Sequence, residues 1–375
     1  MNRRAHLPFV WLLASFIVTA TQAATAPPGD RCAFIGRKDF ADFTTTAGEK
    51  PGEVVMTSPE LTVPIAWDEL VASWNVPAGV YAKVEARAIF PDHTTKYYTM
   101  GLWSDDPAQH PRTSVQHQRD DDGTVKQDTL ALTRHGGKLQ VRVTLGNAAT
   151  NQTALKFLGL SFCDSQAAAV AREPNHAAWG KTIEVPERRQ GEYPEQKGWC
   201  SPTSLSMVLA YWSDAEHRPD LNHTELETAH AVYDSGMEGT GNWPFNTAYA
   251  GSFPGVRAYV TRLDDISELE DWVAAGIAPI ISVSSYLTND RHSGQDNGHL
   301  IVCVGFTAQG DFVANDPGVS VKNNVRARRI YPRARVINAW KKSKNTAYLV
   351  YPVDAKIPKD VSGHWEDGES KAEMK

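Results

Sequence analysis

Between residues 80 and 88 apolar and polar positions alternate, with Val80, Ala82, Val84, Ala86 and Ala88 on one side and Tyr81, Lys83, Glu85 and Arg87 on the other. A period of two marks a half-buried strand. Leu139, Val141, Val143 and Leu145 repeat it after the turn His135-Gly136-Gly137, and Tyr97 to Trp103 and Leu155 to Cys163 supply further strands. No helical period competes with them, so the pattern predicts an all-β antiparallel sandwich over 27–165.

An alanine-rich polar stretch at 166–179 reads as a linker, and beyond it the pattern changes. Leu205, Val208, Leu209 and Trp212 recur at i, i+3, i+4 and i+7, the stripe of an amphipathic helix. Thr224 with Glu227 forms a capping box before a second helix ending near Gly236, and Ser267 with Glu270 forms another before a third ending at Gly276. Strands are expected at Ile280 to Val283, Leu300 to Phe306, Asp311 to Ala314 and Ala347 to Tyr351. Helices first and strands later predict an α+β domain over 180–355. From 356 the chain is charged and poor in apolar residues, as a disordered tail would be.

At the other end, Asn2-Arg3-Arg4, an apolar run from Leu7 to Ala20 and the small residues Ala23, Ala24 and Ala26 have the layout of a signal peptide over 1–26. The run is shorter than the roughly 20 residues that span a bilayer. An exported protein is therefore expected, periplasmic or extracellular, with no transmembrane segment once the signal is removed. The 375-residue length fits two domains. A net charge of -6, spread along the chain, gives no reason to expect nucleic acid as a partner. The locally basic stretch from Lys322 to Lys344 reads as a solvated rim.

Export makes disulfides available to the four cysteines, Cys32, Cys163, Cys200 and Cys303. Cys32 and Cys163 bracket the first module and are expected to be bridged, leaving the other two free. A bridge between Cys200 and Cys303 would instead remove any nucleophile.

That matters because Cys200 lies near the start of the segment GWCSPTSLSMVLAYW, just before the first helical stripe. A helix N-terminus favours the thiolate, and Pro202 suits the first turn. The Cys200 N–H would serve as one oxyanion donor. A base and an orienting group are also required. In GQDNGHLIVCVGF, His299 starts a strong strand, and in FVANDPG, Asp316 ends the next. The start of one strand lies beside the end of its antiparallel neighbour, so His299 and Asp316 are expected to meet. Asn315 alternates to the opposite face, and Cys303 is a small core residue.

VPERRQ at 185–190, GWCSPTSLSMVLAYW, GHLIVCVGF and NDPG, in this order, resemble the secreted papain-like cysteine peptidases related to the bacteriocin-leader-processing, double-glycine peptidases of bacteria. The resemblance covers about residues 180–353. It implies a papain-like fold, a triad of Cys200, His299 and Asp316, and an upstream glutamine donating to the oxyanion hole. Gln190 matches the VPERRQ block but lies farther from Cys200 than is usual, whereas Gln196 lies closer; Gln190 with a longer loop is the preferred reading. CSPTS replaces the more usual CGPTS, so Ser201 is expected to narrow the space beside the nucleophile.

The function these residues imply is cleavage of a peptide bond through a thioester. The same triad would serve an acyltransferase or a cell-wall peptide amidase, and a catalytically silent papain-like module would bind peptide or glycan instead. No His-Glu-x-x-His helix and no Cys-x-x-Cys is present, so no metal or other cofactor is expected. His223 and His230 read as exposed histidines. Gly236, Gly239 and Gly241 precede Trp243-Pro244-Phe245 in what reads as a groove wall, and Trp199 and Trp243 are candidates for a substrate cleft. Peptide, protein or cell-wall peptide is the expected partner.

Overall fold

The computed structural model describes residues 31–147, 154–194, 198–287 and 296–366. The expected signal segment 1–26 and Gln196 lie outside the described residues.

The N-terminal half contains β1 (Cys32–Arg37), β2 (Thr44–Ala47), β3 (Val54–Thr57), β4 (Leu61–Asn75), β5 (Tyr81–Ile89), β6 (Tyr98–Trp103), β7 (Gly123–Lys126), β8 (Thr129–Gly146) and β9 (Phe157–Cys163). Their pairings are antiparallel, and the alternating residues of β5 and β8 fill the core as their spacing predicts. The strands expected to form the sandwich are hydrogen-bonded into one branched nine-stranded network. Its cause is β8, whose 18 residues pair with β7 and β4 near the start and with β3 and β5 near the end. Cys32 and Cys163 face each other directly in the β1–β9 register, with sulfurs 3.6 Å apart. The expected partners are thus adjacent but unbonded, and all four cysteines are thiols.

The C-terminal half contains α1 (Cys200–Ala215), α2 (Glu225–Val232), α3 (Trp243–Ala250), β10 (Val256–Arg262), α4 (Ile266–Ala274), β11 (Ile280–Val283), β12 (His299–Phe306), β13 (Phe312–Asn315), β14 (Arg328–Tyr331), α5 (Arg333–Trp340) and β15 (Thr346–Pro352). Its strands form a six-stranded sheet in the order β10-β15-β11-β12-β13-β14, with every pairing antiparallel. The first helix is not the amphipathic surface helix its stripe suggests. Every residue from Ser201 to Ala210 is buried, and its three serines are satisfied by contacts such as Ser204 Oγ to the Leu300 carbonyl at 3.1 Å. A helix buried all round is a central one.

The capping box of Thr224 and Glu227 starts α2, which stops at Val232, short of Gly236. For α4 the N-cap is Asp265 with Glu268, not Ser267 with Glu270. Glu270 is instead buried and accepts from Asn175 N and Trp179 Nε1, which anchors the end of the expected linker.

The two halves share their cores. Phe34 and Phe157 pack into the C-terminal core, while Phe245 and Ala248 of α3 belong to the N-terminal one. The outer edge of β10 would leave backbone groups unpaired, a liability for any sheet. Here Asn75 of β4 takes the place of a neighbouring strand: its Nδ2 donates to the Ala258 carbonyl at 2.7 Å and its Oδ1 accepts from Ala258 N at 3.2 Å. Ser73 Oγ accepts from Val260 N in the same row.

The expected disordered tail from 356 is corrected as far as Glu366. Gly363 accepts from Phe34 N at 2.7 Å, His364 Nδ1 pairs with Glu268 Oε1 at 2.6 Å, and Trp365 packs on Trp272. Charge misled here because His364 and Glu366 are buried against groups of opposite charge, Glu268 and Arg257, rather than left in water. Among the described residues no helix is long and apolar enough to cross a membrane.

Candidate active site

Cys200 is the first residue of α1 and is half-buried. His299 opens β12, and α1 packs against that strand, so thiol and imidazole meet where a helix N-terminus faces a strand end. His299 Nε2 donates to Asp316 Oδ1 at 2.7 Å, which leaves Nδ1 for the hydrogen bond with Cys200. Asp316 follows the last residue of β13, and both His299 and Asp316 are buried. The structure therefore brings Cys200, His299 and Asp316 together through the hairpin geometry. Asn315 points away, its Nδ2 donating to the Val185 carbonyl at 2.9 Å.

Desolvation pushes the Cys200 thiol up, but the hydrogen bond and charge of His299, helped by the backbone N–H groups of Leu300 and Ser201, bring it below the ordinary thiol value. For His299 desolvation favours the neutral ring; the Asp316 carboxylate and the Cys200 sulfur outweigh it and raise the imidazole to about 10. Asp316 is itself held below the usual carboxylate range by the His299 charge and by donors, against its burial. Both shifts favour a thiolate facing an imidazolium, the activated form of a sulfur nucleophile.

The N-terminal half reaches toward this site. Arg112 donates to the carbonyls of Tyr233 and His230 at 2.9 and 2.6 Å, and Asp234 Oδ1 accepts from Ser114 N at 2.8 Å. Asp128 accepts from Trp243 N at the start of α3. The segment so pinned returns to the nucleophile through Thr240, which donates to the Gly198 carbonyl at 3.1 Å.

The family model of the peptidase C39 N-terminal domain matches residues 28–162, and that of the peptidase C39-like family matches residues 182–348. The chain belongs to the C39-like peptidases. The family supports a cysteine peptidase-type activity with a peptide or protein substrate. A solved C39-like protein from Bacillus anthracis is 19% identical over 48% of this chain and 99% of its own, with a TM-score of 0.35. No curated protein matches the chain.

In this C39-like chain Gln190 opens a short turn that packs against the loop carrying Asp316, its N–H donating to the Pro317 carbonyl at 3.0 Å. Its side-chain oxygen is buried without a hydrogen-bond partner. Ser201 does not crowd the nucleophile as expected: its hydroxyl is buried against Tyr348 Oη at 2.9 Å. Cys303 is a core residue whose thiol burial pushes well up, away from reactivity. Trp199 is buried against Tyr193 and His230, and Trp212 donates to the Val350 carbonyl, so both are packing residues.

Of two further partners of Asp316, Tyr331 carries no signal in the sequence and Gly318 closes the NDPG block without its role being readable there. Tyr331 Oη donates to Asp316 Oδ2 at 2.5 Å, and Gly318 N donates to Oδ1 at 2.8 Å. These leave the carboxylate one orientation toward His299. Gly318 also has a steric duty, since a Cβ there would stand 2.9 Å from His299 Cε1 and 3.1 Å from Nε2. Gly318→Ala is expected to tilt the imidazole and lower kcat by about 10²-fold, the scale of a 1 Å misplacement. An unchanged unfolding midpoint beside that loss would locate the effect in the ring position.

Proposed function

We propose that the chain is an exported cysteine peptidase with a papain-like catalytic half, cleaving a peptide bond through Cys200, His299 and Asp316. The observation that carries this is the 2.7 Å bond from His299 to Asp316 combined with the His299 hydrogen bond to a thiol at a helix start. The Cys200 sulfur attacks the carbonyl carbon while the Cys200 N–H and the Gln190 amide stabilise the oxyanion. His299 gives its Nδ1 proton to the leaving amine as the thioester forms. The neutral imidazole then takes a proton from water, whose oxygen attacks the thioester and releases the thiolate. Asp316 holds the ring throughout and stabilises its charge.

The test is the rate of Cys200 alkylation by iodoacetamide, followed by mass spectrometry in wild type and His299→Ala. The wild-type sulfur is expected to react well below the pH range of a free thiol, because its pKa is lowered. In His299→Ala the ion pair is gone and only the backbone N–H groups of Leu300 and Ser201 oppose desolvation, so labelling at neutral pH should drop by at least tenfold. Peptide cleavage needs both the thiolate and the imidazolium. Its acid limb follows Cys200, and its basic limb follows loss of the His299 proton near about 10. Equal labelling of the two proteins would remove the activated pair and with it the peptidase reading.

Export carries a second expectation. Directly opposed strand positions have a separation suited to a disulfide. Protein recovered from the periplasm or medium is expected to show Cys32 bridged to Cys163 on non-reducing peptide mapping, with Cys200 and Cys303 free. Four free thiols in the exported protein would rule the bridge out.

A further inference from the structure

A cleft of about 1280 Å³ opens where the end of α3, the start of β10 and the segment after β15 meet the N-terminal half. None of its walls is a triad residue. Tyr351, which lines it, stands three positions beyond Tyr348 on β15, so at ~3.3 Å per residue it is about 10 Å along the strand from the tyrosine that holds Ser201.

The floor is apolar, built from Phe253, Val256, Tyr351 and Ile357, and Val353 at the rim is 56% exposed. Arg257 is set into this floor and is only 9% exposed. Its guanidinium lies 4.2 Å from the centroid of the Phe157 ring. As a donor it is poorly used: Nη1 reaches the Lys156 carbonyl at a long 3.4 Å, and Nε lies 3.1 Å from Glu366 Oε1 without an aligned hydrogen bond. Glu366 must also serve Lys38 at 3.1 Å and Tyr351 Oη at 2.6 Å. One carboxylate is thus divided between two cations. Lys156, Lys356 and Lys359 line the same cleft and have no ion pair among the described residues, while Asp354 is the other acid there. In a chain of net charge -6 this is a local reversal of sign.

A buried guanidinium with unmet donors suits a carboxylate in two-point contact, and the surrounding lysines raise the local concentration of anions. The apolar floor adds nothing for a bare ion but contributes binding for a ligand with apolar side chains. We propose that this cleft binds an acidic peptide segment, with a carboxylate on Arg257 and neighbouring apolar side chains on Phe253 and Ile357. The inference rests on the peptidase reading for the source of the peptide: the cleft gives a protein substrate a second contact, away from the bond being cut.

The experiment is fluorescence anisotropy of a fluorescein-labelled octapeptide of alternating glutamate and leucine, titrated with full-length Cys200→Ala protein so that nothing is cleaved. Saturable binding is expected. It should weaken at least tenfold when glutamine replaces glutamate in the peptide, and at least tenfold in Lys156→Glu combined with Lys359→Glu. Both lysines are exposed, so that variant retains its fold even where Arg257→Gln does not. Absence of saturable binding, equal affinity for the neutral peptide, or indifference to the charge reversals overturns the proposal. So does displacement by inorganic phosphate at the peptide's own concentration, which would make this a small-anion site. A tenfold gain in affinity on deleting residues 367–375 would show that the chain's own acidic residues compete for the cleft, and would overturn an external peptide as its occupant. Iodoacetamide labelling of Cys200 in the charge-reversed protein with the cysteine restored should be unchanged, so failure of the cleft and failure of the peptidase reading give different results.

Discussion

Cys200→Ala is expected to reduce kcat on any peptide the wild type cleaves by about four to six orders of magnitude, the scale seen when a nucleophile is removed from a triad. His299→Ala should fall nearly as far. The double variant should be no worse than either single one, because a nucleophile without its base and a base without its nucleophile are equally idle. The reason lies in the geometry: His299 is the only described link between the Cys200 sulfur and Asp316. Initial rates for the three proteins check this. Retention of more than about one hundredth of the activity in Cys200→Ala would place the nucleophile elsewhere. Cys200→Ala should leave the unfolding midpoint nearly unchanged, whereas His299→Ala, which strands the buried Asp316 carboxylate, should lower it.

The second large effect concerns stability. Gly251 follows α3, with backbone dihedrals that suit any residue. What forbids a side chain there is the other half of the molecule: a Cβ would stand 2.1 Å from Asn75 Nδ2 and 2.3 Å from its Cγ. Gly251→Ala must therefore displace Asn75, which is 1% exposed and makes both of its bonds to Ala258. Losing two buried hydrogen bonds at about 1–3 kcal/mol each, together with overpacking of about 1–3 kcal/mol, gives an expected loss of about 3–9 kcal/mol. Denaturant unfolding measures it. Asn75→Ala makes room for the methyl group, so the double variant should be less destabilised than the sum of the singles by at least about 1 kcal/mol. Additivity would mean that the two positions do not press on each other.

The triad positions were legible because each rests on local pattern: a cysteine at the start of a helical stripe, and a histidine and an aspartate at the two ends of a hairpin. The rest depends on contacts that no local period records. Tyr331 belongs to a four-residue strand inside a basic stretch, where its neighbours Arg329 and Ile330 are exposed and mask the pairing with β13. The helix α3 has no apolar face to read, because Phe245 and Ala248 are taken by one core and Ala250 by the other. The strap to Glu366 is dense in charge, and only its partners Glu268, Tyr351 and Arg257, far away in sequence, reveal that it is buried. Asn75 reads as the end of a strand, and nothing near it announces that it substitutes for another.

That asparagine also bears on the order in which the molecule is made. Residues 61–75 leave the ribosome well before residues 256–262, so the groups that cover the sheet edge exist before the edge does. A catalytic half separated from its leader would present Ala258 and Val260 as an open row for another chain to join. The N-terminal half would in this sense act as a chaperone in cis for as long as it stays attached. Maturation by cutting it away, as a pro-segment is cut, would expose the surface it was placed first to cover.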